Sequence, residues 1–190
     1  MGTVGSYTHP MLSPEFGTDL LARAEGIGVQ LDAGSVELVE RLESLWLSLF
    51  DHHRAVMQVP LEVVPRGETW PRRRALYRTH LTEDDGFIYL ASRDGEPVGY
   101  TLVYFRPGYD DTWVSGPRIA EIESLAVAPS ERGRGLGSLL LDAVDARLAR
   151  MGVRDVRLSV MVGNDSAMAF YARRGLVPTL TVLGRRTVEQ

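Results

Sequence analysis

Seven residues, Arg132-Gly133-Arg134-Gly135-Leu136-Gly137-Ser138, constrain this chain more than any other stretch, because alternating glycines stand between a strand-like run and a helix-like run. A strand that turns through glycine directly into a helix predicts a layered α/β arrangement, with the helix packed back on a sheet. It also leaves the first N–H groups of that helix without intrahelical partners, and the helix dipole adds to their positive potential. Glycine lets a ligand approach this backbone closely. The segment therefore predicts an anion site suited to a pyrophosphate, with Arg132 and Arg134 able to add charge-assisted bonds. A plain glycine-rich turn is the bland alternative.

Spacing tests the phosphate motifs. A dinucleotide fingerprint needs a glycine three residues past its second, where this chain has Ser138 after Gly135, so that reading is disfavoured. A Walker A loop needs a lysine, and all 21 basic residues here are arginine. Lysine Schiff bases fall with it. The absence of cysteine removes thiol nucleophiles, thiolate zinc and disulfides. His9, His52, His53 and His80 form no ligand set, so no metal is expected. A net charge of -4 argues against a nucleic-acid partner, and Arg72-Arg73-Arg74 reads as a solvated helix face. No run is apolar and long enough for a membrane span, and the N-terminus lacks a signal pattern, so no membrane partner and a cytoplasmic location are expected.

Around the turn, the periodicity predicts one mixed α/β domain over 28–190, preceded by a loosely structured arm over 1–27 in which Leu20, Leu21 and Ala24 are able to begin a short helix. A helix is predicted from an N-cap at Ser35 to about His53, and another from Pro71 to Leu81. Strands follow at Phe87 to Ala91 and Pro97 to Phe105, joined by an Asp94-Gly95 turn, then at Arg118 to Ala128. The helix after the glycines has a buried stripe of Leu140, Val144, Leu148 and Met151 and stops at Gly152. Strand Val156 to Val162, helix Ser166 to Arg174 and strand Val177 to Leu183 complete the order, with helices covering both faces of the sheet.

Three blocks in this order resemble the GCN5-related N-acetyltransferase (GNAT) family. Arg132, Gly135 and Gly137 match its Arg/Gln-x-x-Gly-x-Gly/Ala signature. The run Ile122-Glu123-Ser124-Leu125-Ala126-Val127-Ala128-Pro129 resembles the strand before its acetyl-CoA loop. Asn164, Ala167, Phe170, Tyr171, Gly175 and Leu176 match its last-helix segment, with leucine where phenylalanine is usual. The resemblance covers about residues 84–184. It implies the acyl-CoA N-acyltransferase fold with splayed central strands, and acetyl-CoA as cosubstrate with an amine as acceptor. By the resemblance, pyrophosphate lies on the amides of Arg132, Gly133, Arg134, Gly135, Leu136, Gly137 and Ser138, and pantetheine pairs like a strand along Leu125, Ala126 and Val127. A homodimer is left open.

Physical reasoning on the same strand adds an expectation. Strict alternation puts Glu121, Glu123, Leu125 and Val127 on one face, burying two carboxylates with two aliphatics. A β-bulge near Ser124 resolves that conflict and redirects the side chains on one side of it. Acetyl transfer to an amine needs a neutral nucleophile, a stabilised oxyanion and a protonated leaving thiolate. Deprotonating an alkylamine of pKa about 10.4 at pH 7 costs about 4.6 kcal/mol, against about 1.1 kcal/mol for an α-amino group near 7.8. Glu123 is the first choice of base and Glu121 the second, with a solvated face or an ion pair to Arg118 as the alternative. A backbone N–H near Leu125 or Val127 is the oxyanion donor. By the resemblance Tyr171 is the general acid, against a core-filling role beside Phe170. Asn164 is expected to cap the last helix and to reach pantetheine. By the resemblance, in which the first two helices wall the acceptor pocket, Trp46, Phe50, His53 and Tyr77 are candidate acceptor-pocket residues, with helix-end histidines on the surface as the alternative; Tyr104, Tyr109 and Trp113 are further candidates for touching an acceptor, with loop packing as theirs. The expected activity is direct transfer of acetyl from acetyl-CoA to a primary amine of a small molecule or peptide; the alternative is a non-catalytic acyl-CoA-binding module.

Overall fold

The computed structural model describes residues 15–58, 62–109 and 112–184. Helix α1 (Thr18–Gly26) leads into strand β1 (Gln30–Gly34), a 3-10 segment (Val36–Leu42) and helices α2 (Glu43–Val56) and α3 (Arg66–Thr82). Strands β2 (Phe87–Arg93), β3 (Glu96–Pro107) and β4 (Arg118–Val127) precede α4 (Leu136–Met151), β5 (Asp155–Leu158) and α5 (Asp165–Arg173). The strands form one sheet in the order β1-β2-β3-β4-β5, antiparallel except for the parallel β4–β5 pair. The hairpin between β2 and β3 turns at Asp94-Gly95, both with positive φ.

Helices do cover both faces. On one side Leu139, Leu140, Ala143, Val144 and Leu148 of α4 and Leu20 and Ala24 of α1 pack on Tyr89, Val103, Ala120 and Ile122. On the other, Leu45, Trp46 and Phe50 of α2 and Trp70, Tyr77 and Leu81 of α3 pack on Ile88, Leu90, Tyr100 and Leu102.

Several expectations are corrected. The arm from Glu15 onward is folded: Phe16, Leu20 and Ala24 are core, and Glu15 accepts hydrogen bonds from Tyr89, Arg147 and Arg150. Residues 1–14, His9 among them, lie outside the described residues. The first expected helix divides into the 3-10 segment and α2, and the Ser35 side chain makes no cap; its backbone N–H donates instead to Glu37 Oε1. Helix α3 begins five residues before Pro71, which therefore lies inside it and withholds the N–H that the Gly67 carbonyl would otherwise receive. Met151 is 40% exposed at the last turn of α4, although Gly152 ends the helix at φ 69° as expected.

Two strand expectations change. β5 stops at Leu158 instead of Val162, and Val177 to Leu183 is no strand, with Val182 93% exposed. Pro178 offers that last segment no N–H donor, and no described strand pairs with it.

After β5 the chain passes Gly163 at φ 93°, where an added Cβ would sit 2.3 Å from the Val56 carbonyl oxygen at the end of α2. Backbone cannot yield cheaply there. Gly163→Ala is expected to destabilise the fold by about 1–3 kcal/mol, read as a lower midpoint in urea unfolding.

Candidate active site

The bulge falls on Glu123. Ile122 pairs with Val103 and Ser124 with Leu102, adjacent residues of β3, so Glu123 is the unpaired extra residue. Its consequence is the predicted redirection. Ala120 and Ile122 pack on the α4 side, as do Leu125 and Val127 beyond the bulge. Glu123 lies toward α3, where its carboxylate accepts a short hydrogen bond from Arg73. The strand thereby keeps its aliphatics with α4 and its carboxylates apart from them.

The ion-pair alternative holds with a different partner. Arg118 binds Asp85 at 3.1 Å and lies over the Phe105 ring, while Arg73 reaches Glu123. Arg73 is therefore not the solvated side chain its run of three suggested; only Arg72 and Arg74 are exposed, on Glu68 and Glu40. Its guanidinium stacks over Trp46 at 4.1 Å. Sequence carried a signal for this, since Arg73 stands three residues after Trp70 and four before Tyr77, on the buried side of α3.

Glu121 is 9% exposed, and its Oε2 has no hydrogen-bond partner among the described residues; Arg157 Nε is 3.9 Å away. Tyr104 pairs with it across the strands and stacks on His80 at 3.7 Å. Burial, followed by the nearby Glu121 and Glu123 charges, pushes the Tyr104 phenol up.

Beside the bulge the sheet opens. β4 pairs with β5 only from Ile119 to Ile122, so Leu125, Ala126 and Val127 continue with no strand on that edge. Splaying of the central strands is thus present. Directly past this edge, α4 starts at Leu136 after Gly133 and Gly135, at φ 75° and 84°. Those angles favour glycine; a Cβ at either meets open space.

No amide from Gly133 to Ser138 donates to a described acceptor; the first α4 bond is Leu139 N–H to the Gly135 carbonyl. Six N–H groups are therefore available at the helix N-terminus. Arg132 donates to the Val127 carbonyl at 3.4 Å, and Arg134 to Glu131 at 3.3 Å. Arg93, hydrogen-bonded to Glu131, holds that carboxyl below its usual range, so the loop is braced by an ionised group.

Helix α5 covers the same corner. Asn164 caps it, accepting from Ala167 N–H at 3.3 Å, and Phe170 lies 3.4 Å from where a Gly137 Cβ would be, beside Val127. Phe170 and Tyr171 have ring centroids 5.2 Å apart and pack on the α4-side core, so the core-filling reading describes part of Tyr171. Its hydroxyl has no described hydrogen-bond partner. Burial pushes the phenol up to about 12, so it keeps its proton at neutral pH.

A cavity of about 350 Å³ opens between α2, α3 and the segment after β5, lined by Trp46, Phe50, His53 and Arg73 with Met161 opposite. Burial lowers the His53 imidazole, which favours its neutral form. Tyr77 is not on this wall: it is fully buried, bonded to Tyr100 at 2.8 Å and Ser124 at 2.6 Å. Tyr109 hydrogen-bonds Arg157, and Trp113 is exposed. Sequence reasoning missed Arg54, Met57, Leu76 and Met161 in the cavity, since they converge only through folding. No group of three or more potential metal ligands occurs among the described residues, and no described helix is long and apolar enough to cross a membrane.

This fold, with six free amides beside a split sheet, belongs to a known class. The chain is a member of the acetyltransferase (GNAT) family, whose model matches residues 46–176. An uncharacterized N-acetyltransferase of Methanocaldococcus jannaschii is 33% identical over 105 residues, 54% of this chain and 43% of that protein. L-2,4-diaminobutyric acid acetyltransferase of Nocardia farcinica is 33% identical over 94 residues, 47% of this chain and 45% of that one. The chain spans less than half the length of these relatives. A GCN5-related N-acetyltransferase from Ralstonia eutropha shares the fold with a TM-score of 0.68 at 18% identity, over 84% of this chain and 99% of that chain. An aminoglycoside N-acetyltransferase in complex with CoA does so at 0.63 and 20% identity, over 84% and 94%.

Proposed function

We propose that the chain transfers the acetyl group of acetyl-CoA directly to a primary amine of a small molecule or peptide. The observation that carries this reading is the row of six unpartnered amides from Gly133 to Ser138, next to a β4 edge that β5 leaves free. An anion needs donors and an extended chain needs an unpaired edge, so these residues fit a pyrophosphate and a pantetheine arm. When bound, acetyl-CoA supplies an activated thioester. The relatives named for 2,4-diaminobutyric acid and for aminoglycosides act on compounds that carry amines, which supports an amine acceptor.

The chain's own groups then have three tasks. Glu123, or Glu121 behind it, takes the amine proton directly or through water. Arg73, on α3, holds the Glu123 carboxylate in place at the bulge. A backbone N–H at Leu125 or Val127 donates to the developing oxyanion. Tyr171 O–H, still protonated at neutral pH, gives its proton to the departing sulfur.

CoA release over a panel of amines tests this. Glu123→Gln is expected to lower kcat about 100-fold, and Glu121→Gln less. Undiminished turnover in both contradicts the base assignment. If no amine supports turnover while acetyl-CoA still raises Tm, the chain is a binding module.

A further inference from the structure

The cavity between α2 and α3 has a charge character that selects among amines. Its described lining contains Arg54, Arg72 and Arg73 and no Asp or Glu. Two of these arginines have carboxylate partners outside the lining. Arg73 meets Glu123 at the bulge, which puts the inner end of the cavity against β4. Arg72 pairs with Glu68 four residues earlier at 2.7 Å, with both side chains more than half exposed, a contact a bound anion readily replaces. Among the described residues the Arg54 side chain makes no ion pair; its guanidinium carbon lies 5.9 Å from the centre of the Phe50 ring. Burial, followed by the neighbouring His52 and Arg73, lowers the His53 imidazole, which favours its neutral form and leaves the positive charge of the wall to the arginines. Apart from Thr69, whose hydroxyl accepts from Trp46 Nε1 at 3.0 Å, the remaining wall is apolar, with Trp46, Phe50, Met57, Leu76 and Met161 prominent in it.

A cavity of this kind repels polycations. We infer that the amine acceptor carries an anionic group, a carboxylate in the simplest case, together with an apolar side chain, and that Arg54 with Arg72 grips the anion while the amine faces Glu123. This rests on the acetyltransferase reading and names the substrate class for that site. Two effects run the same way. The guanidinium of Arg54 offers a fork of donors to the carboxylate. The guanidinium charges of the wall also disfavour an acceptor that brings several cations into the cavity. Spermidine and aminoglycosides, with several ammonium groups and no anion, are therefore poor acceptors.

The test compares acceptors that differ in one charge. L-phenylalanyl-glycine and L-phenylalanyl-glycinamide share the same α-amine and apolar side chain, and only the first has a free carboxylate. With wild-type protein and saturating acetyl-CoA, the acid is expected to exceed the amide in kcat/KM by about 10-fold or more, mainly through KM. Spermidine and kanamycin are expected to fall below both. Arg54→Gln, at an exposed position where folding is spared, is expected to bring the acid-to-amide ratio close to one, and Arg54→Lys to restore part of it. Equal use of acid and amide by wild type, better use of spermidine or kanamycin, or an unchanged ratio in Arg54→Gln overturns the inference while leaving acetyl transfer standing. If no amine of any charge is acetylated, the acetyltransferase reading fails first and the inference falls with it.

Discussion

Tyr171→Phe is expected to lower kcat by about 100-fold to 10,000-fold with little change in acetyl-CoA affinity, the range found when a positioned general acid is removed. The replacement deletes a single oxygen. The ring continues to pack beside Phe170 on the α4-side core, so the fold should keep its Tm. The hydroxyl is the group at issue: it has no described protein partner and, with its pKa pushed up to about 12 by burial, remains protonated through the neutral range. A tyrosine so placed can give a proton and is a poor choice for taking one. Steady-state turnover with acetyl-CoA titrated alongside separates the outcomes. A loss confined to kcat supports the acid role, whereas unchanged turnover makes Tyr171 a packing residue only.

The second large effect is on stability. Tyr77→Ala is expected to cost about 3–5 kcal/mol, because the ring is fully buried between Trp46, Trp70 and Tyr100 and its loss leaves a large cavity. Tyr77→Phe keeps the ring but strands Ser124 and Tyr100, for about 1–3 kcal/mol. Ser124 follows Glu123 at the bulge, so Tyr77 also fixes the strand that carries the proposed base. Burial pushes the Tyr77 phenol up to about 12 from an ordinary 10.0. Between those values the unfolded chain loses the proton and the folded chain retains it. The stabilisation is thus whole below about pH 10 and lost as pH rises toward 12. Chemical denaturation from pH 8 to 12 should show that decline, and a smaller one in Tyr77→Phe.

Much of the site was legible because its chemistry is local in sequence. The glycines that need positive φ, the strand before them and Asn164 at the start of α5 each announce themselves within a few residues. The bulge was also readable, since two glutamates cannot share a buried face with Leu125 and Val127. What escaped depended on distant partners. β1, with Asp32, Ala33 and Gly34 in five residues, has weak strand propensity and forms because β2 offers it an edge. β5 ends at Leu158 because β4 and β5 diverge there, which no local pattern in Ser159 to Val162 records. Arg73 illustrates the same limit: only packing of α3 over β4 decides that the middle arginine of three turns inward to Glu123. Tyr77 read as a pocket aromatic because aromatic spacing does not distinguish a cavity wall from the core beneath it.

The absence of lysine and cysteine bears on the reaction itself. Neither an amide-forming nor a thioester-forming side-chain carrier of those types exists on the chain, in keeping with direct transfer. The central claim is that acetyl passes from acetyl-CoA to an acceptor amine without resting on the protein. The most direct measurement is mass spectrometry of protein and acceptor after a single turnover with isotopically labelled acetyl-CoA and a primary amine that supports CoA release. The account predicts label on the amine nitrogen and none on the chain. Label accumulating on a side chain before it reaches the amine, or CoA release with no labelled amine, would contradict it.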